Sequence, residues 1–170
     1  MRFAFPIVAL VLLTGCRQET SFPPPAQQVP KPYFARVTLD VTPGQPLPAG
    51  AAIKSGVEPE SPEVNWRFLS SPSAFDFRLE DHPDWQLEMH LAFVDKIMDT
   101  TGPQRLTIVL NGKELAGKTI DHSGEYGLTF PAQPGPIPTV ELRIEPCLLM
   151  PKTPPYCAII HSIGWKRELK

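Results

Sequence analysis

Several groups of side chains in this 170-residue chain have the chemical types from which reactive or binding sites are built. Asp121-His122-Ser123 holds the acid, base and hydroxyl of a nucleophilic triad. Consecutive residues of an extended chain point to opposite faces, so this tripeptide is not expected to line up a proton relay. Glu80-Asp81-His82-Pro83-Asp84 gathers three carboxylates and an imidazole in one turn. Calcium takes about six or more oxygen ligands, and the glycine-bearing order of a calcium loop is missing, so a solvated acidic turn is expected. Glu88 and His90 share a strand face, but two ligands do not make a zinc site. The chain has no G-x-S-x-G elbow, no H-E-x-x-H and no phosphate-binding glycine loop. These readings point to a non-enzyme with no catalytic residue, no metal and no cofactor.

The three cysteines carry more information. An apolar run from Phe3 to Leu13 follows Arg2 and ends in small residues and a cysteine. It is too short to cross a bilayer, which needs roughly 20 apolar residues, and it has the layout of a secretory signal. Leu13-Thr14-Gly15-Cys16 resembles the lipobox of bacterial lipoproteins, with all four positions filled. That resemblance implies removal of residues 1–15 and lipidation of Cys16, through a thioether-linked diacylglycerol and an acylated amino group. Several acyl chains on one residue make the attachment effectively permanent. A plain secretory signal that happens to end in cysteine is the alternative. Arg17, where an Asp would stand for inner-membrane retention, implies a lipid anchor in the outer membrane, facing the periplasm. Two thiols then remain in an oxidising compartment, so Cys147 and Cys157 are expected to form a disulfide. Closing so short a loop stabilises the fold by roughly 2.5–3 kcal/mol.

Cleavage after Gly15 removes one of 16 basic residues and none of the 18 acidic ones, leaving a formal charge of −3. No basic patch emerges, and nucleic acid is an unexpected partner. Lys166-Arg167 is the one basic pair near the C-terminus, read as a solvated tail end. Residues 16–32 carry Pro23-Pro24-Pro25, Pro30 and Pro32 and read as a polyproline-type tether, with a disordered tail as the alternative. Residues 33–170 are long enough for one domain with a core.

That domain reads as all-β, because apolar residues keep returning with period two. Tyr33, Ala35, Val37, Leu39 and Val41 alternate with polar residues, as do Phe75, Phe77 and Leu79. Trp85, Leu87, Met89, Leu91 and Phe93 form the clearest stripe. Leu106, Ile108 and Leu110 run into Asn111-Gly112, a hairpin signal. Further strands are expected around Tyr126 to Phe130, Val140 to Ile144 and Ala158 to Trp165. Val94 to Asp99 makes at most one helical turn. Pro43 to Pro62, Thr100 to Pro103, Pro131 to Pro138 and Pro146 to Pro155 read as loops. Seven or eight short strands predict an antiparallel β-sandwich of jelly-roll type, with a closed barrel as the alternative.

From Trp85 to Trp165 the order LTIVLNGKEL, GEYGLTFPA, VELRIEP, a proline-bearing loop and AIIHSIGW resembles the galactose-binding-like jelly roll common among carbohydrate-binding modules. Relatives often carry an acidic-basic pair before the last strand, where this chain has Pro155-Tyr156-Cys157, so that pair's role does not transfer. The resemblance implies sugar recognition or a purely structural module. Sugars need flat apolar platforms beside polar groups. Trp66 and Trp85 are expected in the core, because each alternates with apolar neighbours. Tyr156, Trp165 and Tyr126 remain as candidate ligand contacts, Tyr156 foremost in its constrained loop. The sequence thus predicts a membrane-anchored module that binds a glycan. The alternative is a pilotin-like subunit that docks on an envelope secretion or assembly complex, for instance through an exposed strand edge.

Overall fold

A computed structural model describes residues 33–40, 49–58 and 66–169. The signal segment, Cys16 and the proline-rich tether lie outside the described residues. The chain forms β1 (Tyr33–Asp40), β2 (Ala51–Val57), β3 (Arg67–Phe77), β4 (Gln86–Phe93), helix α1 (Asp95–Thr101), β5 (Gln104–Leu110), β6 (Lys113–Ile120), β7 (Gly124–Pro131), β8 (Thr139–Glu145) and β9 (Ala158–Leu169). Every pairing between these strands is antiparallel.

Two layers follow from the pairings. One runs β6-β5-β8-β3-β2 and the other β1-β9-β4-β7. β3 belongs to both: Arg67–Leu69 pair with β9, whereas Ser73–Asp76 pair with β8. The cis Ser71–Pro72 peptide lies between these partnerships. Backbone groups that leave the ladder at this corner need other partners, and serines supply them. Ile144 N donates to Ser71 Oγ at 3.0 Å, and the buried Ser73 hydroxyl donates to Gly56 O at 2.8 Å. The result is an antiparallel sandwich of jelly-roll type.

The core lies between the layers, filled by the inward half of each alternating pattern. β4 contributes Leu87, Met89, Leu91 and Phe93; β8 contributes Val140, Leu142 and Ile144. Strict alternation breaks once in β9. A bulge between Ile160 and Ser162 inserts His161, so that Ile160 and Ile163, three residues apart, both face inward and are fully buried. A bulge shifts side-chain parity in this way. Gly164 lets β1 lie against β9: a Cβ there would stand 2.4 Å from Val37 O.

Four expectations need correction. Ala51–Val57, inside the expected loop Pro43 to Pro62, is a strand. Its small residues and two register shifts against β3 erase the alternation that would have announced it. Among the described residues nine strands form instead of seven or eight. α1 runs for seven residues, longer than one turn, because Ile97 and Met98 are buried beneath it. Lys166-Arg167 is no solvated tail: both lie within β9, paired with Glu88 and Glu80 respectively.

Candidate functional site

Near the end of β9 the structure holds a cleft of about 690 Å³. Trp85, only 3% exposed, is among its lining residues. The Trp85 indole N–H donates to Glu80 O at 3.0 Å, and the Arg167 guanidinium lies 5.3 Å from the ring centroid while pairing with the Glu80 carboxylate. The ring is therefore fixed on one face and at its nitrogen. Leu115 of β6, Pro83 and Pro131 supply further apolar surface. Around them stand the polar side chains Asp84, Gln86, Gln133 and Glu168, all exposed.

Local structure explains why these groups converge. Antiparallel pairing sets Gln86 opposite Pro131, and Ala132 N donates to Trp85 O at 3.1 Å, so the strand ends stay together. Asn111 and Gly112 both take positive φ, as a tight hairpin of this type requires. Asn111 then does a second task. Its side-chain amide donates to Pro134 O at 3.0 Å and accepts from Thr139 N at 2.8 Å. Leu79 N donates to Pro136 O, and Phe77 N to Pro138 O. The loop after β7 is thereby pinned on both sides, and Gln133 with it. A smaller recess of about 380 Å³, lined by Asn111, Lys113 and Glu114, shares Leu115 and Gln133 with the cleft.

The residues singled out from the sequence sit elsewhere. Trp165 is fully buried and meets Phe77 edge-on at 6.3 Å, so it is a core residue and not a platform; its parity with Ile163 turns it inward. Trp85 is in the core as expected. Trp66 is not: with Phe68 it lies on the face of β3 opposite buried Leu69, both rings half-buried. Trp66 packs edge-on against Phe68 at 4.9 Å, and Phe68 against Tyr156 at 4.4 Å. Tyr156 therefore shares a ring contact inside an aromatic row. Cys147 and Cys157 are joined as a disulfide, and Leu148 bridges to Tyr156 within the loop they close.

Tyr126 belongs to a separate surface cluster. Its hydroxyl donates to His122 O at 2.8 Å, its ring meets Phe93 edge-on at 5.5 Å, and Lys118 Nζ lies 5.5 Å from the ring. Desolvation and the Asp121 charge push its phenol pKa upward. In the same cluster His122 Nδ1 is 2.6 Å from Asp121 Oδ1, whereas the Ser123 hydroxyl donates to Asp95. Acid and base are joined there, but the hydroxyl is turned to another partner. His90 Nε2 lies 3.2 Å from Glu125, and its ring stacks 4.9 Å from His161. Among the described residues no three His, Cys, Asp or Glu side chains are grouped to hold a metal ion.

The cleft residues carry no local signature in the sequence, for a definite reason. Asp84 reads as part of an acidic turn, Gln133 as part of a proline loop and Glu168 as part of a tail. Only the spacing of Trp85 and the Asn-Gly turn hint that these segments meet.

No protein-family model and no curated protein matches the sequence. Among solved structures, a CBM36 carbohydrate-binding module in complex with calcium and xylotriose matches 77% of this chain and 98% of its own, at 10% identity and TM-score 0.44. A CBM35 from Paenibacillus barcinonensis matches 77% and 97%, at 11% identity and TM-score 0.40. The CBM36-1 domain of a multidomain xylanase from the hindgut metagenome of Trinervitermes trinervoides matches 78% and 96%, at 9% identity and TM-score 0.43. None of the three specifies a ligand for this chain.

Proposed function

We propose that this chain is an envelope lipoprotein, processed before Cys16 and anchored by lipid in the outer membrane facing the periplasm. Residues 33–170 form a non-catalytic sandwich that binds a glycan in the cleft beside Trp85. The observation that carries the glycan reading is the cleft's mixed lining. A pyranose has apolar C–H faces and a rim of hydroxyls. Leu115, Pro83 and Pro131 offer apolar surface to the first, while Asp84, Gln86, Gln133 and Glu168 offer planar carboxylate and amide groups to the second. The anchor rests on Leu13-Thr14-Gly15-Cys16.

Two measurements test the two halves. Mass spectrometry of the membrane fraction should find an acylated N-terminus at Cys16, and Cys16→Ser should release the protein from membranes; an unprocessed start would overturn the anchor. A glycan array probed with the purified, folded lipoprotein should show saccharide binding that Gln133→Ala weakens. Silence across the array would remove the glycan reading. A second reading, docking on an envelope assembly complex, draws on Leu149 and Met150, exposed at 79% and 40% in the disulfide loop. Repeated capture of one membrane complex by a photocrosslinker at Leu149 would favour it.

A further inference from the structure

The charge and shape of the cleft narrow the ligand further, on the basis of the glycan reading above. Several carboxylates on the sandwich surface are neutralised within the fold. Glu88 pairs with Lys166, Glu80 with Arg167, Glu141 with Arg143, and Asp76 with Lys54 at 3.4 Å. Asp84 and Glu168 face the cleft without a salt bridge among the described residues, and no Lys or Arg of that set lines it. An acidic sugar entering there would meet two like charges; a cationic one would meet two opposite charges.

The shape adds a second constraint. A cleft of about 300–1,000 Å³ encloses a drug-sized ligand. The cleft of about 690 Å³ and the recess of about 380 Å³ each reach that range and adjoin at Leu115 and Gln133. A single monosaccharide would leave most of this space to water. A linear chain crossing Leu115 would place an apolar sugar face on that side chain and a hydroxyl edge beside Gln133. In the recess, Glu114 is held toward Arg105 at 3.9 Å and Lys113 is its neighbour, so the acidic character is concentrated in the cleft.

We propose that the cleft and recess form one groove, and that its ligand is a linear oligosaccharide containing amino sugars with free, protonated amines. The amine-bearing unit sits between Asp84 and Glu168, and the chain continues over Leu115 into the recess.

Calorimetry on the detergent-solubilised lipoprotein tests this with three ladders of increasing length: glucosamine oligomers, their N-acetylated counterparts and galacturonate oligomers. Ion pairs at exposed carboxylates are weak, so two of them should favour the free amine over the acetamide by about five- to tenfold. Galacturonate oligomers should bind weakest, and affinity should rise with length beyond the disaccharide. Asp84→Asn with Glu168→Gln should erase the amine preference, so that glucosamine oligomers bind no more tightly than their acetylated counterparts. Leu115→Ser should remove the gain with length. Equal or tighter binding of galacturonate or acetylated chains, or no gain with length, would overturn this inference and leave the glycan reading standing. Binding of no oligosaccharide, in calorimetry or on the array, would remove both.

Discussion

At one end of β9, Cys157 is bonded to Cys147 and donates its backbone N–H to Leu69 O, while the Gln104 side chain donates to Pro146 O and Cys157 O at 2.6 and 3.1 Å. At the other end, Glu168 opens onto a cleft with Asp84, Gln86 and Gln133. Both ends are rich in rings and prolines. At the cystine end the rings cover one another, Trp66 on Phe68 and Phe68 on Tyr156. At the cleft end one ring lies in the lining, its nitrogen and one face already engaged, and the polar groups beside it are exposed. Aromatic content alone therefore does not mark a recognition surface. What distinguishes the cleft is concavity together with polar side chains that the fold leaves available to a ligand.

The largest effect expected from breaking this contrast lies at the cystine end. Cys147→Ser with Cys157→Ser opens a loop of sequence separation 10, and should cost about 3 kcal/mol of stability in urea denaturation. Oligosaccharide affinity of the remaining folded protein should not change. A parallel fall in affinity would show that the two ends are coupled. Gln104→Leu comes next. Gln104 is fully buried, and the substitution strips donors from the carbonyls of Pro146 and Cys157, at about 2 kcal/mol for acceptors left without a partner. Again the loss should appear in the unfolding midpoint and not in binding.

How far the sequence foretells this contrast depends on the kind of signal. Strands with clean period two, such as Leu87 to Phe93, are legible because one face is core and the other is solvent. The cystine follows from the number of thiols. β2 is hidden by its register shifts and by the absence of a fully buried residue. Trp165 is misplaced by sequence reasoning because its face depends on the His161 bulge, which no local pattern reveals. The cleft is invisible for a different reason. Its polar groups come from three segments, Asp84 to Gln86, Gln133 and Glu168, and only the strand order β9-β4-β7 and the Asn111 staple bring them together.

Tyr156 offers a sharper and smaller test, because sequence and structure differ on it. Its constrained loop predicts a ligand contact. In the structure its ring packs on Phe68, an arrangement worth about 0.5–1.5 kcal/mol beyond area burial. Tyr156→Ala should therefore lower stability by at least about that amount in thermal unfolding and leave saccharide affinity as it was. A large drop in affinity would move the recognition surface to the cystine end and reverse the comparison.

The smallest expected effect belongs to a region that serves neither end, the exposed pair Asp121–His122. The hydrogen bond from the His122 side chain, then a backbone hydrogen bond, then the His122 charge hold the Asp121 carboxyl below the ordinary carboxylate range. A carboxylate with a lowered folded pKa stabilises the native state only while it is ionised. Its contribution is complete above the unfolded value of about 3.9 and is lost as pH falls through the lower folded value. Both groups are exposed, so the contribution is small, and it is confined to acid conditions. Carbon-detected NMR titration should find the Asp121 midpoint below that of an ordinary aspartate, and His122→Ala should return it upward. Stability near neutral pH should change little, since the charge on Asp121 remains solvated without its partner. A midpoint that stays low after His122→Ala would show that the backbone hydrogen bond outweighs the imidazole as the cause of the shift.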